Sequence, residues 1–165
     1  MPRFGDHNYD GDEILPTEAL KKLANPVTQS GYRTRPDLGS VEYYVWRMLK
    51  SAAKRPSLTV QCWKHNEKPS LHLFIARDSV NVMILLKRAK IQRERVVRAI
   101  FAQAGAALLQ DEVTGQAEDE SQFLLYALQK NAPMVTHLVA EFFRKGYGLA
   151  QNAEMEFTYR EPEAA

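Results

Sequence analysis

Leu71-His72-Leu73-Phe74-Ile75-Ala76-Arg77-Asp78-Ser79-Val80-Asn81-Val82-Met83-Ile84-Leu85-Leu86 is the stretch whose reading decides the fold. Leu71, Leu73 and Ile75 alternate with His72, Phe74 and Ala76 up to a tight turn at Arg77-Asp78-Ser79. Val80, Val82, Ile84 and Leu86 then repeat the same period. Just upstream, Leu58, Val60 and Cys62 alternate with Thr59, Gln61 and Trp63 and stop at His65-Asn66-Glu67-Lys68-Pro69. Period-two alternation with turn residues between the runs predicts three strands in an antiparallel meander. Trp63, Phe74, Met83 and Leu85 fall on its second face, which is apolar enough to predict a cover.

Working outward, the period changes. Val41, Tyr44, Val45, Met48, Leu49 and Ala52 recur at helical spacing. Ser40 is placed to cap that helix, Glu42 suits its first turn, and Pro56 is expected to end it. Downstream, Val96, Val97, Ile100, Phe101 and Ala104 predict a second helix over Gln92 to Ala104, closed by a left-handed Gly105. A strand around Ala107 to Val113, an acidic turn from Asp111 to Glu120 and a strand from Ser121 to Leu128 follow. Pro133 opens a third helix with the stripe Val135, Leu138, Val139, Phe142 and Phe143, which Gly146 is expected to end. A last strand, Glu154 to Arg160, points Met155, Phe157 and Tyr159 to one side.

The expected class is therefore α+β, an antiparallel or mixed sheet with helices packed on it, in the order α-βββ-α-ββ-α-β. From Ser79 onward the order β-α-β-β-α-β resembles a ferredoxin-like split unit, which implies two helices on one sheet face. Up to Gly146 the order also looks like the chaperone-type fold of secretion-chaperone proteins. Both are resemblances of architecture, with no motif behind them, and architecture does not fix function. Residues 1–39 are rich in Pro, Gly, Asp and Asn and read as a flexible arm, with a short helix from Pro16 to Leu23; residues 40–162 read as one domain. The Asp/Asn cluster from Gly5 to Asp12 lacks the spacing of a calcium loop.

Charge is the strongest functional signal. Residues 47–98 carry thirteen Lys and Arg against three acids, Glu67, Asp78 and Glu94, a local +10 in a chain of net charge +2. Its densest part holds Lys87, Arg88, Lys90, Arg93, Arg95 and Arg98 between a strand and a helix. These six form the candidate binding face, with Arg95 and Arg98 expected on one side of the helix. The reading is a non-enzymatic binding or adaptor module for an acidic protein partner, with dimerisation through the second sheet face kept open. The alternative is a nucleic-acid binder in which the same six cations contact phosphates. Trp63 beside Lys64, Phe74 near Arg77 and Tyr43 near Arg47 are the candidate stacking platforms.

No phosphate loop, nucleophile elbow or dinucleotide fingerprint is present, so no catalytic residue and no cofactor is expected. Cys62, His65 and His72 are the one conceivable metal set, but Cys62 alternates with core residues and no metal site is expected. A single cysteine and the lack of a long apolar run point to a soluble, cytoplasmic protein.

Overall fold

The computed structural model of this chain describes residues 36–162. The meander forms as the alternation requires: β1 (Ser57–Gln61), β2 (Ser70–Ala76) and β3 (Ser79–Lys87) pair antiparallel in sequence order. Around them stand α1 (Val41–Lys50), α2 (Ile91–Gln103), β4 (Ala107–Thr114), β5 (Ser121–Gln129), α3 (Ala132–Tyr147) and β6 (Glu156–Arg160). The six strands make one antiparallel sheet in the order β4-β5-β3-β2-β1-β6. Strand β5 sits between β3 and β4, as in a split unit. The last strand does not complete a ferredoxin-like unit beside β3, because β2 already holds that edge; β6 pairs with β1 instead.

All three helices share one face of the sheet, and α3 packs between α1 and α2. Leu58, Val60, Leu71, Leu73, Val82, Ile84, Leu86, Leu124 and Leu128 point to that face and meet Val45, Met48, Val97, Phe101, Val139 and Phe142 in one core. Phe101 stacks on Tyr126, centroids 4.3 Å apart, which seats α2 on β5.

Several local expectations shift. The fold begins before Ser40: Leu38 is buried and Asp37 bridges Glu154. Ser40 makes no side-chain cap for α1, because a 3-10 turn at Leu38–Ser40 runs straight into the helix and the Ser40 hydroxyl accepts the Asp37 N–H instead. Helix α1 stops at Lys50, well before Pro56, where Ser51 turns extended and its hydroxyl takes the Ala53 N–H. Asp111 and Glu112 belong to β4 rather than to the acidic turn. Helix α3 continues through a buried Gly146 to Tyr147, whose ring packs on Phe142, and the left-handed residue is Gly148 at φ 70°. Gly105 does end α2 at φ 75°. Val96, expected in the core, is 39% exposed. The expected helix at residues 16–23 and the cluster at residues 5–12 lie outside the described residues.

Candidate recognition surface

The structure disperses the basic segment. Lys87 ends β3, exposed on the sheet face away from the helices. Arg88 donates to Gln122 Oε1 at 3.0 Å and lies 3.8 Å from the Glu120 carboxylate. Lys90 is exposed at the entry to α2. Arg93 points inward: it pairs with Glu67 of the β1–β2 loop, donates to the Gly146 carbonyl and covers the Tyr147 ring at 4.1 Å. Arg98 turns onto β4, with both terminal nitrogens 2.9 Å from the Asp111 carboxylate and Nε 2.9 Å from Glu94. Arg95 stays exposed while Arg98 is held by Glu94 and Asp111, so the two neighbours on the helix do not stand free together. These ion pairs hold the Glu67 and Asp111 carboxyls below the usual carboxylate range, each chiefly through its hydrogen-bonded arginine. Among the described residues, Lys87, Lys90 and Arg95 are the members of the set without a salt bridge. The acidic turn at 118–120 abuts them through the Arg88–Glu120 contact.

The cations that remain free as a group lie elsewhere, at the far end of β2. A groove of about 630 Å³ is lined by Lys54, Arg55, Phe74, Ile75, Ala76 and Arg77. The connection from α1 to β1 is tied down there by the Ile75 N–H donating to the Pro56 carbonyl at 3.3 Å. That bond brings Lys54 and Arg55 beside the β2–β3 turn. Phe74 pairs with Ser57, and Ser57 pairs with Arg160, so a fourth cation stands two strands away on the same face. Among the described residues none of Lys54, Arg55, Arg77 and Arg160 is in an ion pair. Arg77 has φ 57°, the left-handed region that suits glycine and costs a residue with a Cβ about 1–2 kcal/mol. His72 is next along β2, its ring 5.9 Å from Phe74 and 2.8 Å from the Thr59 hydroxyl. Partial burial, then the nearby Arg160 charge, push its pKa down.

The face away from the helices carries an apolar stripe of Phe74, Met83, Leu85, Phe123 and Leu125. No described element covers it, and Leu85 is 62% exposed. Sequence reasoning marked Phe74 near Arg77 but missed the groove. Lys54 and Arg55 are about twenty residues away from it in sequence, and the Pro56–Ile75 bond with the Ser57–Phe74 pairing brings them together.

The remaining candidates separate. Trp63 is 51% exposed, but its indole N–H is held by Glu156 at 2.7 Å, and its neighbour Lys64 pairs with Glu154 at 2.7 Å. Tyr43 is buried, and Arg47 lies over Tyr159 at 4.3 Å instead. Cys62 points into the core, His72 to the opposite face, and His65 stacks edge-on against Tyr147. These three cannot reach one ion. Neither a family model nor any curated protein matches the sequence. No helix among the described residues is long and apolar enough to cross a membrane.

Proposed function

We propose that this chain is a non-enzymatic binding module that takes an acidic segment of a protein partner into the groove around Phe74. One observation carries the reading: Lys54, Arg55 and Arg77 line a groove with Phe74 and Ile75, Arg160 stands two strands away on the Phe74 face, and none of the four is in an ion pair among the described residues. Carboxylates of the partner supply the missing counter-charges, and an apolar side chain between them seats on Phe74 and Ile75. Three of the six cations first marked in sequence, Arg88, Arg93 and Arg98, serve internal contacts, so the basic face moves to the other end of the meander. Lys87, Lys90 and Arg95 keep a secondary, steering role. A cytoplasmic location belongs to the same proposal and rests on the single, buried Cys62.

A nucleic acid fits less well. A phosphate backbone tracking from Lys87 past Arg95 would meet Glu112 and the turn at 118–120, where like charges oppose it.

The test is fluorescence anisotropy with a labelled peptide alternating Glu and Leu, in competition with an oligothymidylate of equal charge. Arg55→Ala with Arg77→Ala should weaken the peptide about 5- to 25-fold, at roughly 0.5–1 kcal/mol per exposed charge contact. Lys90→Ala with Arg95→Ala should change it less than about threefold. Peptide affinity indifferent to the first pair, or an oligothymidylate that binds more tightly and depends on Arg95, would overturn the proposal.

A further inference from the structure

Strand β4 is the outer edge of the sheet, and all eight of its residues, Ala107 to Thr114, are exposed. An edge strand offers a row of unsatisfied N–H and C=O groups, and folds that stay monomeric guard such edges with Lys, Pro, bulges or short length. The opposite edge is short: β6 has five residues, and the Asp37–Glu154 bridge adjoins its start. Strand β4 has neither Lys nor Pro, and its one bulge, at Leu109, lies near one end, leaving Gln110 to Thr114 in regular register. Leu108, Leu109 and Val113 are 44%, 52% and 48% exposed.

Helix α2 lies beside this edge, held by Arg98 on Asp111. Its solvent side is unlike a solvated helix face. Ile91, Val96, Ala99 and Ala102 are exposed on it beside Gln92 and Gln103, and Arg95 is its one fully exposed charge. Val96 and Ile91 are 39% and 59% exposed, and the two alanines leave room for close approach. Strand and helix together form one margin along a single side of the domain, with exposed apolar side chains set among Gln92, Gln103, Gln110 and Thr114.

We infer that this margin is covered by a second copy of the same chain, β4 pairing antiparallel with β4 about a two-fold axis. Three observations select that occupant. An antiparallel pair made from one strand is its own complement, so a closed dimer satisfies the edge and leaves no further edge of the same kind open. The charges along the margin nearly balance: Asp111 and Glu94 share Arg98, Arg95 offsets Glu112, and one negative charge is left per copy. A polyanion or a strongly charged partner gains little there, while two copies with one net charge each repel only weakly, and salt screens that repulsion. The size is also sufficient. Eight strand residues span about 27 Å, and the edge plus the adjoining helix is about 20 Å deep. The pair then buries on the order of 1,000 Å², the threshold for a specific interface.

The test uses the full chain. Light scattering behind a sizing column at about 100 μM should return roughly twice 18.8 kDa, unchanged in 0.5 M salt. Leu109→Lys and Val113→Lys replace side chains about half exposed, so circular dichroism should not change. Each should raise the dimer dissociation constant at least tenfold. Leu85→Lys, on the open sheet face, should leave the dimer intact. A monomeric wild type would overturn the inference, as would a dimer that Leu85→Lys breaks while Val113→Lys does not. Slow amide exchange of β4 in a monomer would also sink it, by showing the edge occupied from within the chain. The acidic-peptide assay is independent, since its groove lies on β2, with β3 and β5 between it and β4.

Discussion

Replacement of Arg77 by glycine should raise stability slightly while weakening recognition, and the two effects can be worked separately. Arg77 holds φ 57° at the first position of the β2–β3 turn. A residue with a Cβ is about 1–2 kcal/mol worse off in that region, and glycine returns about 0.5–1 kcal/mol of the gain through its freer unfolded chain. The net stabilisation is therefore about 0.5–1 kcal/mol. For roughly 125 folded residues the unfolding entropy is about 0.26 kcal/mol/K, so Tm should rise about 2–4 °C. One exposed cation leaves the groove, and affinity for the acidic peptide should fall about 2- to 5-fold. Arg77→Ala is the control: it keeps the Cβ, gains no stability and loses the same affinity. Differential scanning calorimetry and anisotropy on the three proteins read both quantities. If Arg77→Gly lowers Tm by more than about 2 °C, Arg77 contributes contacts to the fold and the strain reasoning is wrong. If the peptide binds Arg77→Gly as it binds wild type, Arg77 has no part in the groove.

Phe101→Ala should cost about 3–5 kcal/mol, because a fully buried ring stacked on Tyr126 leaves a cavity between α2 and β5. Urea unfolding that shows a loss under 1 kcal/mol would mean α2 does not pack on β5. Glu67 has its folded pKa depressed by Arg93, so its contribution is present above the ordinary carboxylate pKa of roughly 4.3 and disappears as pH falls through the lower folded value. The Tm gap between wild type and Glu67→Gln should accordingly be constant from pH 7 to about 5.5 and close below about pH 4; a gap that widens in acid contradicts the ion pair. Arg160→Ala should raise the His72 pKa part of the way toward its ordinary value, with burial still holding it down. A ¹H–¹³C titration showing no upward movement would separate Arg160 from the face that His72 shares.

The layered α+β plan was legible because its signals are local. Alternation at 71–86, the stripe at 135–143 and the left-handed Gly105 each follow from neighbours within a few residues. Errors arose where a distant partner decides. Gly146 looked like a helix end until Tyr147, packed on Phe142 and Arg93, drew the helix another residue onward. Arg93 and Arg98 count toward the candidate binding face in sequence, whereas in the fold Glu67 and Asp111, 26 and 13 residues away, take them as partners. Charge density along a sequence reports how many cations a segment has, not which of them already have a counter-ion. The groove was invisible for the same reason: its cations come from the loop after α1 and from the β2–β3 turn, with Arg160 of β6 two strands away.

The pairing of β6 with β1 joins residues about a hundred positions apart. Closing so large a loop is slow compared with zipping the β1–β2 and β2–β3 hairpins, so the meander should mature first and spend its early life with β1 as an open flank. Leu58 and Val60 line that flank, and β6 acts as the latch that ends its exposure. Proteolytic clipping at the exposed turn Gln151–Asn152, between α3 and β6, followed by loss of β6, would therefore turn a finished molecule into an aggregation-prone one without touching a single helix.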